Sequence, residues 1–390
     1  MKPVFISYSR EDLHEVKEIV SILQVAGIPV WQDINSLDVG LTEDQIRTAI
    51  REDCAALVFY ATSNSIVSDF IKDIELKEAY QKFKSDNKFS IVPIFNESID
   101  KVNAALKGVI DGNISRFNGI VIEPGKPLME EISQKLRRNL LSIVLGQSQE
   151  KRVRIAVMTY SPTPDDAKPM LNLDWSALHL PDSLLSQNSW ADYVCPALAD
   201  IKNTLVKSSR TNLEIISKAQ PQVGIAFGYI FRKEAGFILD VHQFDQIWST
   251  STDENETSYL NCNCTSGDLG NQNIAVIISI TQEVGNVTGR LSGVDIGFRA
   301  FLNCSPTGGK IPYNIPHGQI AAAMAGEIRK AILDAKSKYD VTDIHIFSAI
   351  PLGLAYLIGW RLNACGRIHL YDYDRSKGTY SPSWILEGNY

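Results

Sequence analysis

Over the first 145 residues, short apolar runs alternate with stretches whose apolar positions recur every three or four residues. Val4-Phe5-Ile6-Ser7-Tyr8 reads as a strand, and Leu13, Val16, Val20 and Leu23 then form one helical stripe that Gly27 stops. Ser9, with Asp12 three positions on, predicts a capping box at the start of that helix. Further strands are predicted at 28–31, 55–61, 89–95 and 119–122. Helices are predicted to carry Ile46, Ala49 and Ile50, then residues 69–84, then Leu128 through Val144. Residues 33–42, with Gly40, and 62–68 read as loops, Thr42 with Gln45 as a second cap, and 102–106 as a weaker element. Apolar strands separated by amphipathic helices predict a parallel sheet covered on both faces, because parallel neighbours need helical crossovers. Size and order suit a flavodoxin-like domain over 1–146, followed by a short polar linker ending at 151.

The remainder, 151–390, matches itself at an offset of 129 residues. Gly224-Ile225-Ala226-Phe227 falls on Gly353-Leu354-Ala355-Tyr356, and Val241, Phe244 and Asp245 fall on Leu370, Tyr373 and Asp374. Each copy reads as a strand, a helix ending before Gly236 or Gly366, and a returning strand. The expectation is two Rossmann-like halves, about 151–270 and 271–390, related by a pseudo-dyad.

Composition narrows the classes. At 390 residues, 44% hydrophobic and 21% charged, the chain is globular and long enough for at least two domains. The formal charge of −7 is divided as 17 basic against 21 acidic residues up to position 146 and 21 against 24 beyond it. Neither region is a polynucleotide-binding surface by bulk charge, whereas a ligand with about two to four phosphates needs only a few local donors. No apolar leader and no span of about 18 apolar residues is present, so the reading is cytoplasmic with no membrane partner. Six scattered cysteines, with only Cys262 and Cys264 close together, read as reduced thiols, and no metal site is read.

The front motifs resemble the TIR domain family: Phe5-Ile6-Ser7-Tyr8-Ser9 as its first strand, Gly27 through Val30-Trp31 and Asp33 as its second, and Gly40 in the loop beyond. The resemblance implies a site at the carboxyl ends of the strands. It aligns Glu75, in Ser68-Asp69-Phe70-Ile71-Lys72-Asp73-Ile74-Glu75, with the glutamate of catalytic TIR domains; Phe70 stands where Trp is frequent. NAD is then substrate, with no cofactor. Cleaving its nicotinamide bond builds an oxocarbenium-like ribose that a fixed carboxylate stabilises. Glu75 lies on a helical stripe with Ile71 and Ala79, at the edge of an apolar face, and Glu78 is its rival. Ser9 and Arg10, where strand meets helix, are candidates for the diphosphate, and Trp31 and Asp33 for the ring and its surroundings; the alternatives are a cap, a surface arginine and a partly buried tryptophan.

The back region resembles the SAVED domain, most plainly in Ile344-His345-Ile346-Phe347-Ser348-Ala349-Ile350-Pro351 with Leu354-Ala355 and Gly359. That resemblance implies two fused CARF-like halves and, as activator, a cyclic oligonucleotide such as the cyclic trinucleotide cyclic tri-adenylate. Lys218, Gln220 and Ser348 at strand-to-helix turns, with Thr281, are the ligand candidates, and Arg232, Arg361 and His317 are weaker ones. The combined reading is a TIR-SAVED effector of bacterial anti-phage signalling (CBASS), an NAD glycohydrolase switched on by its ligand. Ligand-dependent oligomers or filaments would complete NAD sites between neighbouring chains. The alternatives are a non-enzymatic TIR scaffold and a nucleoside hydrolase or deoxyribosyltransferase.

Overall fold

The computed structural model describes residues 1–32, 43–123, 129–176, 190–252, 257–309 and 311–388. They form two compact units, 1–150 with 168–173, and 151–167 with 174–390.

In the first unit, β1 (Val4–Ser7), β2 (Val30–Trp31), β3 (Ala56–Ala61), β4 (Ser90–Phe95) and β5 (Ile120–Val121) pair in parallel in the order β2-β1-β3-β4-β5. This is the flavodoxin-like order. Every residue of β1 and β3 is buried, which explains why both read as unbroken apolar runs. The helices are α1 (Leu13–Val25), α2 (Glu43–Thr48), α3 (Lys77–Ser85), α4 (Ile99–Ala105) and α5 (Glu130–Gly146). Wide π-helical turns extend α2 forward through Ala49–Asp53 and lead into α3 through Ile71–Leu76. Gly27, at φ +71°, ends α1: its N–H donates to the Gln24 carbonyl and that of Ile28 to Leu23, which satisfies the last turn.

Two local expectations change. Ser9 makes no side-chain cap; its hydroxyl donates to Glu11, 3.0 Å away, and Asp12 is drawn off to accept from Thr62 Oγ1 and from Asn64 Nδ2 at 2.7 Å. Asp12 therefore ties the start of α1 to the loop after β3 instead of closing a capping box. The weak element near 102–106 is helix α4, capped where Ser98 accepts from the Lys101 N–H at 3.3 Å. The expected cap at Thr42 and the loop 33–42 lie outside the described residues.

The second unit carries β6 (Arg152–Met158), β7 (Asn212–Lys218), β8 (Ile238–Gln243) and β9 (Gln246–Ser249) in the order β9-β8-β7-β6. A second sheet orders β10 (Leu260–Ser266), β11 (Asn273–Ser279), β12 (Ala300–Pro306), β13 (Asp343–Ala349), β14 (Arg367–Asp374) and β15 (Thr379–Leu386) as β10-β12-β11-β13-β14-β15. The run β6-β7-β8-β9 repeats as β11-β13-β14-β15, in each case two parallel pairings and an antiparallel edge hairpin. Helices α6 (Cys195–Lys207), α7 (Pro221–Ile230), α8 (Gly318–Tyr339) and α9 (Leu352–Arg361) complete the two halves. β14 starts 129 residues after β8, but β13 and α9 start 131 after β7 and α7, because the second copy returns from helix to strand in two fewer residues. The boundary expected near 270 falls too late: β10 already pairs antiparallel with β12, and Cys262 faces Cys304 across that pair.

The halves meet where α7 and α9 cross at backbone distance. A methyl group on Gly228 would lie 2.3 Å from the Tyr356 carbonyl oxygen, and one on Gly359 2.0 Å from that of Ile225. Across the same seam Tyr356 donates to Ser217 at 3.0 Å, Trp360 Nε1 to the Phe237 carbonyl at 2.8 Å, and the Gly353 N–H to Gln243 Oε1 at 2.7 Å. Gly359→Ala must push the helices apart, at about 2–3 kcal/mol. Differential scanning calorimetry is expected to show its midpoint lowered by about 5 °C or more. Gly146→Ala, whose methyl meets nothing within 4 Å, leaves the midpoint unchanged or slightly higher. An unchanged midpoint for Gly359→Ala would refute the close crossing.

Candidate functional site

In the first unit, the carboxyl end of β1 holds Glu75. Ser7, the last residue of β1, donates its hydroxyl to Glu75 Oε2 at 2.5 Å, and both side chains are buried. Glu75 belongs to the π-helical turn Ile71–Leu76, and Ile71, Ile74, Leu76 and Ala79 around it are buried, so the carboxylate enters the apolar side of its helix. Two residues before Ser7, on the same face of β1, Phe5 stacks on Trp31 with centroids 4.6 Å apart at 17°. Trp31 is half-buried with one ring face taken by Phe5. Ser9 is half-exposed and Arg10 exposed just beyond β1, whereas Asp33 lies outside the described residues.

Glu78, one turn on, has different surroundings. Its carboxylate is held by Arg47 Nη1 and by Arg51 through Nε at 2.5 Å and Nη2 at 2.8 Å. Burial pushes this carboxyl up, but the two guanidinium groups outweigh burial and hold it below the usual carboxylate range. Glu78 is thus a strut between α2 and α3. Lys82, a further turn on, donates to the Ile50 and Cys54 carbonyls at 2.9 and 2.8 Å and so closes the wide turn after α2.

In the second unit a cleft of about 250 Å³ opens beside the α7–α9 seam. Gln220, Thr281 and Ser348, three of the four expected ligand residues, line it. Lys218 does not, being exposed at the end of β7, and Arg232, Arg361 and His317 are likewise absent from this lining. Gln220 precedes α7 and accepts from Thr159 Oγ1, and Ser348 is the penultimate residue of β13. The residues leading from each strand towards its helix therefore border the cleft.

Much of the lining was missed, including Glu283, Arg290, Tyr371, Asp372, Tyr373, Arg375 and Tyr380. Most of it is the β14–β15 hairpin, whose second strand the apolar pattern did not reveal. Tyr371 is fixed by a 2.7 Å hydrogen bond to His345 Nδ1 and by stacking on Phe347, whereas Tyr373 is 41% exposed. Asp372 is 3% exposed, its Oδ1 has no hydrogen-bond partner among the described residues, and burial pushes its carboxyl up to about 7. The repeat did place Tyr373 opposite exposed Phe244, which was the available signal. No group of three or more His, Cys, Asp or Glu among the described residues is placed to hold a metal ion, and no helix among them is long and apolar enough to cross a membrane.

Comparison with known proteins matches residues 4–116 to the TIR domain and residues 198–386 to the SMODS-associated and fused to various effectors sensor domain, SAVED. The chain joins a TIR domain to a SAVED domain. The Cap4 SAVED/CARF-domain containing receptor of Acinetobacter baumannii is similar in fold, at TM-score 0.53 in complexes with the cyclic trinucleotides 3'3'3'-cAAA and 2'3'3'-cAAA. Identity is 16% and 15%, over 98% of this chain and 88% of that one. CD-NTase-associated protein 4 of Enterobacter hormaechei subsp. hoffmannii is 22% identical over 208 residues, half of this chain and 40% of that protein. This chain therefore spans well under two thirds of that relative.

Within the TIR domain, the Glu78 strut has a pH signature. Its folded pKa lies below the ordinary 4.5, so its stabilisation is present above that value and is lost as pH falls through the lower folded value. Glu78→Gln is expected to destabilise by about 1–2 kcal/mol at pH 7, a modest figure because the arginines are partly solvated. Thermal unfolding followed by circular dichroism should show the deficit shrinking below about pH 4.5. A deficit independent of pH would assign it to packing instead.

Proposed function

We propose that the TIR domain hydrolyses the nicotinamide glycosidic bond of NAD, and that a cyclic oligonucleotide in the SAVED cleft switches this activity on. The observation that carries the enzymatic reading is the buried Ser7–Glu75 pair at the carboxyl end of β1, where open parallel sheets bind ligands. Glu78 is neutralised by two arginines, whereas Glu75 receives a serine hydroxyl. As neutral nicotinamide departs, positive charge grows on the ribose, and an oriented carboxylate in an apolar wall stabilises it. Water then takes the anomeric carbon, giving ADP-ribose, nicotinamide and a proton. Ser7 orients Glu75, and Ser9, Arg10, Trp31 and Asp33 would bind the rest of NAD.

The sensing half of the proposal is supported by the cleft: the helix approaches at Gln220 and Ser348 share its lining with Arg290 and Arg375, which suit a compact ring of phosphates. Cap4 complexes with cyclic trinucleotides have the same fold. A cyclic trinucleotide such as cyclic tri-adenylate is the proposed activator, in a cytoplasmic anti-phage (CBASS) response that depletes NAD. The activator would favour oligomers or filaments, with the loop 33–42 of one chain completing the NAD site of the next.

Chromatography of NAD incubated with the full chain is expected to show nicotinamide released in the presence of cyclic tri-adenylate. Glu75→Gln should lower the rate about 10²-fold or more and Ser7→Ala about tenfold, with ligand binding intact. No release by a chain that binds its ligand would leave the TIR domain a scaffold. A mixture of Glu75→Gln chains and chains mutated in the 33–42 loop should regain part of the activity; a fully active monomer in light scattering would remove the shared site.

A further inference from the structure

The two halves of the SAVED domain use one strand position differently. Gln243 is the sixth residue of β8 and Asp372 the sixth of β14, the strands that correspond in the repeat. In the first half, Gln243 Oε1 accepts the Gly353 N–H in the opening turn of α9, across the seam. In the second half, Asp372 borders the cleft together with Gln220, Pro221 and Gln222 at the opening of α7. There the residue that matches Gly353 is Gln222, the second of α7, yet Asp372 Oδ1 stays buried with no hydrogen-bond partner among the described residues.

A buried, unpaired carboxyl is expensive, and where it borders a binding cleft a ligand donor relieves that cost. Burial holds the carboxyl near 7, with no cation contributing to the shift. Phosphates have better partners elsewhere in the cleft, in Arg290 and Arg375. Beside Asp372, exposed Tyr373 offers a ring on which a nucleobase can stack, and Tyr380 supports that ring at 4.8 Å. Tyr373 follows Asp372 in β14 and projects from the other face of the strand, but both line the cleft, so a base held there can reach the carboxyl with its hydrogen-bonding edge while its phosphate lies elsewhere.

We propose that Asp372 is a specificity-determining residue that accepts a hydrogen bond from the exocyclic amino group of a base in the bound cyclic oligonucleotide, so that the cleft selects amino-bearing bases over their oxo counterparts. This rests on the cleft being the oligonucleotide site. A site built around one polar partner rejects an analogue lacking it, because its own buried group is then stranded.

The test uses the full-length protein and two probes of equal ring size and charge, cyclic tri-adenylate and cyclic tri-inosinate. They differ by a 6-amino donor against a 6-oxo acceptor and by an N1 acceptor against an N1–H donor, so that a preference for cyclic tri-inosinate would set Asp372 against N1 and overturn the amino-group assignment. Calorimetric titration should show the wild type preferring cyclic tri-adenylate by about tenfold or more, and Asp372→Asn, whose amide can also donate to an oxo group, losing most of that preference. Asp372→Asn is also expected to unfold at a higher temperature without ligand, since an unpaired buried charge has been removed; that measurement confirms that the variant is folded. Tyr373→Ala should weaken both probes together. A folded Asp372→Asn that keeps the wild-type preference overturns the assignment of Asp372 while leaving the cleft as the ligand site. A wild type that binds neither probe overturns both.

Discussion

The contact on which the sensing half of the molecule depends is the crossing of α7 and α9 at Gly228 and Gly359, with carbonyl oxygens where side chains would otherwise stand. Each helix follows an inner strand, β7 or β13, and the residues that lead into it line the cleft. Fixing the crossing therefore fixes the separation of the two helix starts, and with it the spacing at which two anionic groups can be held. Two βαβ units joined through large side chains would tolerate sliding. Backbone contact, reinforced by Tyr356, Trp360 and the Gly353 N–H reaching into the opposite half, does not.

This explains what was legible in the chain. The repeat is visible because the returning strands keep the 129-residue offset and Gly236 and Gly366, both at positive φ, precede them. Within the helices the matching glycines are Gly228 and Gly359, 131 apart, so the match of Gly224 with Gly353 is two residues out of register. Gly366, at φ +100°, would also place a methyl 2.7 Å from the Thr342 carbonyl. Strands buried on both faces, such as β1, β3 and β11, were equally legible as unbroken apolar runs, whereas the inner strand β12, with alternating burial, was not read. Edge strands β9, β10 and β15 carry mixed patterns, because one side faces water or a partner of irregular polarity. They escaped the pattern, and with β15 went the wall that holds Tyr373 and Asp372.

Glu75 and Glu78 show where pattern reading stops. They are three residues apart on neighbouring turns of one helical segment, and both are buried. Helical spacing places both near the apolar stripe and cannot rank them. The partners do: Glu78 meets two arginines from the end of α2, and Glu75 meets a hydroxyl from the end of β1. Those are contacts across 27 to 68 positions of sequence, set by the sheet order rather than by anything local. Asp12 makes the same point, since a residue that locally fits a capping box is claimed by Thr62 and Asn64 fifty positions away.

For an acidic protein to read an anion, as proposed here, short-range attraction has to exceed long-range repulsion. At a net charge of −7 the chain repels a phosphate ring at a distance, but at physiological salt that repulsion decays over about 8 Å. Inside the cleft the charged groups are close: Arg290 and Arg375 line it together with Glu283 and Asp372, beside polar Gln220 and Ser348. A handful of donors suffices for a small ring with a few phosphates, whereas a polynucleotide would carry many more charges past the cleft onto acidic surface. The same unfavourable bulk charge that weakens encounter thus discriminates by size. With the cleft as the proposed ligand site, Asp372, whose Oδ1 has no partner among the described residues, would work in the same sense, opposing a ligand that brings only phosphate and favouring one that also brings a hydrogen-bond donor.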